Sequence, residues 1–185
     1  MRAIFHFVLC LSQKGMVISM SELGFIFHSE NCVQCHACQA ACKSWRNLER
    51  GVDWRRVHNL WRGVYPDTSV LTLSVSCMHC AVPACVGACP AGAISKRPED
   101  GLVLVDRALC TGCHICFDVC QFGAPQFGAD GTMQKCDFCG DGALPGAVCV
   151  MACPTQALEQ ALMSAGQKVD EEKCVSELLP HRSIR

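Results

Sequence analysis

The chain has 185 residues, is half apolar and carries a formal charge of −1. That length suits one compact domain or two small ones sharing an interface, and the near-neutral balance gives no reason to expect a nucleic-acid partner. Eighteen cysteines make an ordinary hydrophobic core an incomplete account and point to disulfides, zinc or iron-sulfur clusters.

The first stretch, "MRAIFHFVLCL", holds an arginine and a short apolar run, and the following "SQKGMVISM" has neither a small-residue cleavage site nor a twin arginine. Residues 1–22 are therefore set apart as an N-terminal extension, with Met16 or Met20 as alternative starts and a signal peptide as the weaker reading. No run elsewhere reaches the roughly 18–20 apolar residues that a bilayer span needs. The expected location is cytoplasmic, or at a membrane through a partner, with periplasmic co-export beside a signal-bearing partner left open.

"LGFIFHSENC" (residues 23–32) reads as a strand, a polar turn and a cysteine, and "GLVLVDRALC" (residues 101–110) repeats that order. "SVLTLSVSC" (residues 69–77) is a third strand running into a cysteine. Between the first and third of these, residues 43–66 place Trp45, Trp54, Trp61 and Tyr65 among five arginines. Such aromatics either pack over neighbouring loops and exclude water or form a partner-docking surface, and packing is the expectation. "CPAGAI" (residues 89–94) and "CPTQAL" (residues 153–158) each put proline after a cysteine, fixing the backbone for a turn or helix. "TQALEQALMSAG" (residues 155–166) predicts a short helix stopped by Gly166, and the polar remainder is expected on the surface or against a partner.

Sixteen cysteines fall into four quartets: Cys32, Cys35, Cys38 and Cys42; Cys77, Cys80, Cys85 and Cys89; Cys110, Cys113, Cys116 and Cys120; and Cys136, Cys139, Cys149 and Cys153. Cys10 and Cys174 stand outside. Two residues between partners leave little room for an unstrained disulfide. A structural zinc site separates its second cysteine pair by a longer spacer, whereas the first and third quartets step by three residues twice and then by four. That run is the signature of bacterial [4Fe-4S] ferredoxins, in which the fourth cysteine ligates the other cluster.

The expected fold class is α+β: two ferredoxin-like modules with nested cysteine motifs, each binding two [4Fe-4S] clusters. Residues 69–127 form the inner module, residues 23–42 and 128–159 the outer one, residues 43–68 an insertion and residues 160–185 a tail. Crosswise ligation then assigns Cys77, Cys80, Cys85 and Cys120 to one inner cluster and Cys89, Cys110, Cys113 and Cys116 to the other. In the outer module Cys32, Cys35, Cys38 and Cys153 hold one, and Cys42, Cys136, Cys139 and Cys149 the other. Pairing the first quartet with the second and the third with the fourth would also satisfy the cysteine number.

Thiolates suit iron because both are soft, and backbone N–H groups brought close by residues such as Gly112 tune the potential. Loading would take the charge from −1 to about −9. Lys96, Arg97, Arg107 and Lys135 are the candidate compensating cations, against an ordinary surface role for each. His36, His79 and His114 adjoin ligand positions, but complete quartets leave them as hydrogen-bond donors around the sulfurs or as surface residues. Asp137 and Asp141 lack the paired arrangement that acid–base chemistry needs, so no catalytic residue is expected.

The quartets, with "SCMHC", "PACVGACPAGAI", "GLVLVDRALCTGCHICFDVCQFGAPQF" and "MQKCDFC", resemble the four-cluster electron-transfer subunit of dimethyl sulfoxide reductase-type molybdenum and tungsten enzymes. The resemblance covers residues 23–159. It implies a large molybdopterin or tungstopterin catalytic partner and, at the far end, a quinone-reactive membrane subunit or a soluble redox protein. It places the cluster on Cys32, Cys35, Cys38 and Cys153 nearest the catalytic partner, and the one on Cys89, Cys110, Cys113 and Cys116 farthest away. Some relatives carry tryptophan at the position of Cys113 and a three-iron cluster, so cysteine here implies four irons. About fifteen residues between Cys120 and Cys136 and a short C-terminal tail leave a soluble heterodimer open. The alternatives are a free-standing diffusible polyferredoxin and a purely structural metal module.

Overall fold

β1 (Glu22–Phe27) pairs antiparallel with β8 (Leu158–Met163) in register from Glu22 opposite Met163 to Phe27 opposite Leu158, so the first and last strands of the sheeted chain lie side by side. These positions belong to a computed structural model that describes residues 22–140 and 143–178. Met163 packs over Gly24, where a Cβ would sit 2.3 Å from the Met163 sulfur and displace that side chain. α1 (Ala37–Trp45) and α4 (Val148–Met151) pack against each other beside this ribbon. Gln160 on β8 ties the two layers together, its side-chain oxygen accepting the Ala147 N–H at 2.8 Å just before α4.

A second ribbon, β4 (Ile94–Lys96) with β5 (Val103–Val105), lies with α2 (Ala84–Gly87) and α3 (Ile115–Asp118), which also pack on each other. β2 (Arg56–Val64) and β3 (Asp67–Val75) form a long hairpin, so residues expected as a plain insertion supply one of its two strands. β6 (Gln126–Phe127) and β7 (Met133–Gln134) make a two-residue ribbon. Between the layers, Phe25 stacks on Phe138 with centroids 4.2 Å apart, and Phe138 meets the edge of His79 at 5.7 Å. Leu102, Ala124, Leu158 and Cys149 close the same core.

The helix expected across residues 155–166 is instead β8, and Gly166, expected to stop it, lies inside α5 (Ala165–Leu178). Its alanine, leucine and glutamine favour helix locally, but strand geometry lets Leu158 and Met163 be buried at its ends while satisfying the backbone of β1. The tail is also less peripheral than its polarity implies: α5 packs on β1 and β8, and Lys168 is 2 % exposed. Its ammonium meets Glu22 at 2.9 Å, and Lys96 from β4 meets the other oxygen of the same carboxylate at 2.6 Å.

Glu22 thus staples three elements. Burial raises its pKa, but the two ammonium groups outweigh that and hold it below the ordinary glutamate value. A Glu22→Gln variant, which strands a buried ammonium, is expected to lose about 3 kcal/mol of stability, read as a lower denaturant midpoint at neutral pH. With a depressed folded-state pKa, the contribution is present above the unfolded value and disappears as pH falls through the folded one. Wild type and variant should therefore converge in acid, and equal midpoints at neutral pH would rule the staple out.

Candidate metal centre

In each quartet the third cysteine is the second residue of a helix: Cys38 in α1, Cys85 in α2, Cys116 in α3 and Cys149 in α4. The residue just before the second cysteine has positive φ in all four loops: 58° at Gln34, 48° at His79, 68° at Gly112 and 64° at Phe138. Glycine occupies only the third loop, where a Cβ would come 2.7 Å from the Gly131 carbonyl oxygen. The other three accept a conformation that costs on the order of 1–3 kcal/mol each, as residues around a binding site do. Such a turn aims successive N–H groups into a concavity suited to anions. Within one such turn Phe138 N–H donates to Cys136 at 3.4 Å, and from outside the turns Met133 N–H donates to Cys110 at 3.3 Å and Ala124 N–H to Cys120 at 3.5 Å.

The thiols come together across quartets. Cys32 lies in the field of Cys38, Cys35 and Cys153, so the last cysteine of the fourth quartet joins the first three of the first. Cys42 faces Cys149 and Cys139, and Cys136 faces Cys149 and Cys42. Cys80 faces Cys77, Cys120 and Cys85. Cys89, Cys110, Cys113 and Cys116 line one small apolar pocket with Ile94 and Met133. Neighbouring groups adjoin, since Cys149 also feels Cys38 and Cys116 also feels Cys85.

Burial pushes the Cys42 thiol up to about 12 and those of Cys85 and Cys116 up to about 11, and it also raises Cys80 and Cys136. Such thiols ionise only when a positive body replaces their protons. Cys153 goes the other way: burial alone would raise it, but hydrogen bonds from the Leu158, Thr155 and Ala157 N–H groups and the Thr155 hydroxyl hold it below the ordinary thiol value. Among the described residues no three histidine, cysteine or acidic side chains converge tightly enough for a single ion. Soft thiols in groups of four, with N–H donors at their sulfurs, fit a cubane of iron and sulfide.

Comparison with known proteins agrees. Residues 68–162 match the family model described as a 4Fe-4S dicluster domain. The probable anaerobic dimethyl sulfoxide reductase chain YnfG of Escherichia coli strain K12 is 40 % identical over 152 residues, covering 75 % of this chain and 73 % of the relative. A chain of the anaerobic dimethyl sulfoxide reductase of the same organism is 39 % identical over 150 residues, with the same coverage. The chain belongs to the 4Fe-4S dicluster family, with the iron-sulfur subunits of dimethyl sulfoxide reductase-type complexes. The thiosulfate reductase electron transfer subunit PhsB of Salmonella typhi is a further relative, 37 % identical over 143 residues and covering 72 % of this chain and 73 % of that one.

In this iron-sulfur subunit most of the expected cations are engaged elsewhere. Lys96 binds Glu22, Arg97 pairs with Asp100, and Arg107 pairs with Asp130 on the surface. Lys135 alone of the four is buried near a thiol, lowering the pKa of Cys85, while its ammonium donates to the Val103 and Cys136 carbonyls. The cation that sequence reasoning missed is Arg55, 1 % exposed and set among Cys149, Cys136, Cys38 and Cys42. Its neighbour Arg56 donates to the Phe122 and Gly123 carbonyls beside Cys120. Only the tandem "WRR" after an acidic residue hinted at either.

The other singled-out residues divide by burial. His36 and His114 are exposed, the latter stacked on Phe127 at 3.7 Å. His79 is fully buried; its Nδ1 accepts the Val103 N–H at 3.0 Å, and burial with Lys135 and Lys168 nearby keeps it neutral. Asp137 binds Arg46 at 2.9 Å and accepts the Cys139 N–H at 3.0 Å, a structural role. Of the insertion aromatics, Trp54 packs on the core and donates to Gln134, whereas Trp45, Trp61 and Tyr65 are exposed, Tyr65 at 88 %. The packing expectation thus applies to Trp54 and is corrected for the other three. Cys10 and Asp141 lie outside the described residues.

Proposed function

We propose that this chain is the electron-transfer subunit of an oxidoreductase complex, relaying electrons through four [4Fe-4S] clusters between a molybdopterin-type catalytic subunit, with molybdenum or tungsten, and a quinone-reactive membrane subunit or soluble redox partner. The observation that carries the reading is that thiols from different quartets come together in sets of four, in a chain related over three quarters of its length to chains of anaerobic dimethyl sulfoxide reductases. The ligand sets are Cys32, Cys35, Cys38 and Cys153; Cys42, Cys136, Cys139 and Cys149; Cys77, Cys80, Cys85 and Cys120; and Cys89, Cys110, Cys113 and Cys116.

Bound there, the clusters supply one-electron redox capacity; the chain supplies thiolates, N–H donors and buried cations, and no catalytic residue. Of the sixteen thiols, Cys35 and Cys113 are the exposed ones, one in each of the two sets assigned to the ends of the relay. Exposed Val33 beside Cys35, and Leu109 and Ile115 near Cys113, give those ends apolar surface for contact. Among the described residues no helix is long and apolar enough to cross a membrane.

Anaerobically isolated protein is expected to contain about sixteen iron and about sixteen acid-labile sulfide per chain. Zinc in place of iron, or iron for only two clusters, would sink the proposal. Co-isolation with a molybdenum- or tungsten-containing chain separates the subunit reading from a diffusible polyferredoxin, which would elute alone.

A further inference from the structure

A guanidinium removed from water needs an anion close by, and Arg55 has no carboxylate partner among the described residues. Its Nη1 donates to the Ser74 carbonyl at 3.2 Å and the Ser74 hydroxyl at 3.1 Å, and its Nη2 donates to the Ser76 hydroxyl at 3.0 Å. Phe25 covers one face, its ring centroid 4.3 Å from Cζ. Nε is buried with no hydrogen-bond partner among the described residues. Neutral hydroxyls and a ring do not balance a full positive charge; sulfur does. Ser74 carries the contact onward, its hydroxyl 3.4 Å from the Cys38 sulfur. Beyond Cys38, the thiols whose charge Arg55 meets are Cys149, Cys136 and Cys42, and Cys149 is also its hydrogen-bond partner.

Cys38 belongs to one proposed ligand set, and Cys42, Cys136 and Cys149 to the next. We propose that Arg55 is a shared redox-tuning cation, placed between these two clusters so that it stabilises an added electron on either and raises both reduction potentials. The inference rests on the ligand sets proposed above. Reduction adds one electron to a cluster and makes it more negative by one charge, with no bond formed or broken and no proton required. A fixed positive charge in a low-dielectric site favours the more negative form. The other two sets lack this residue; the buried cation near Cys85 is Lys135. The influence of Arg55 is therefore selective, reaching two clusters of four.

The test uses the full chain, isolated anaerobically in the complex it forms, and follows each cluster by paramagnetic resonance during a redox titration with dithionite as electron donor. Arg55→Gln keeps a hydrogen-bonding head without charge; Arg55→Lys keeps the charge without the fork. In the glutamine variant, two of the four clusters should show at least a tenfold fall in their reduced-to-oxidised ratio at fixed potential, about 59 mV for a one-electron couple. The other two should be unchanged, and lysine should fall between glutamine and wild type. Unshifted midpoints at full iron content, or equal shifts in all four clusters, would overturn the assignment. Should the glutamine variant lose iron, lysine decides: retained iron with near-native midpoints supports the charge role, and equal loss shows that only the shape of arginine matters. Wild-type iron far below sixteen per chain would instead refute the underlying ligand sets, an outcome read before any midpoint is measured.

Discussion

A Cys113→Trp variant is expected to slow turnover with the physiological redox partner by roughly 10–100-fold, relative to turnover with an artificial donor acting directly at the catalytic subunit. Cys113 is an exposed thiol following Gly112, and it lines the same pocket as Cys89, Cys110 and Cys116. Tryptophan supplies no ligand, so that set keeps three soft donors, which favours loss of one iron and a higher potential. Serine is the milder substitution, replacing sulfur with a harder oxygen. The chain wires while the partner catalyses, so damage at the outer end should interrupt delivery and spare chemistry. The decisive measurement is the ratio of the two turnovers in one assembled variant whose other three clusters are fully loaded. Equal collapse of both rates would end the idea of an outer relay site remote from the active site.

The second large effect concerns Cys153. Its sulfur lies with Cys32, Cys35 and Cys38, although in sequence it follows Cys149 by four residues. It is also a thiol whose pKa is lowered, because the turn leading into β8 points N–H groups at it. A Cys153→Ala variant is expected to lose the cluster anchored by Cys32, Cys35 and Cys38, about a quarter of the iron, while the signal from the set containing Cys136 and Cys139 persists. Loss of the latter with survival of the former would mean that each quartet closes on itself.

Much of this was legible because cysteine spacing reports geometry directly. In the first and third quartets the repeated three-residue steps signal a tight loop entering a helix, and Cys38 and Cys116 are each the second residue of one; Cys85 and Cys149 take the same place after longer spacers that carry no such signal. The strands leading to Cys32, Cys77 and Cys110 were readable from their apolar β-branched and aromatic residues. β8 was not, because "LEQALM" is helical by propensity and becomes a strand only through a partner more than a hundred residues away. Arg55 was illegible for a related reason. An arginine beside another arginine reads as a solvated surface, and nothing local says that one is buried among cysteines while the other donates to the Phe122 and Gly123 carbonyls. Glu22 falls just before the recognised motifs, and its value comes entirely from two lysines on other elements.

The union of β1 with β8 also dictates an order of events during synthesis. Glu22 leaves the ribosome long before Met163, its partner across the ribbon. At roughly 5–20 residues per second, β1 waits on the order of ten seconds with its hydrogen-bonding edge bare. The β4–β5 ribbon, closed by a short local turn, can form in the meantime. The nascent chain therefore matures from its middle outward. A polypeptide released before Met163 would leave "ELGFIF" as an open apolar edge, the kind of segment that chaperones and proteases capture first.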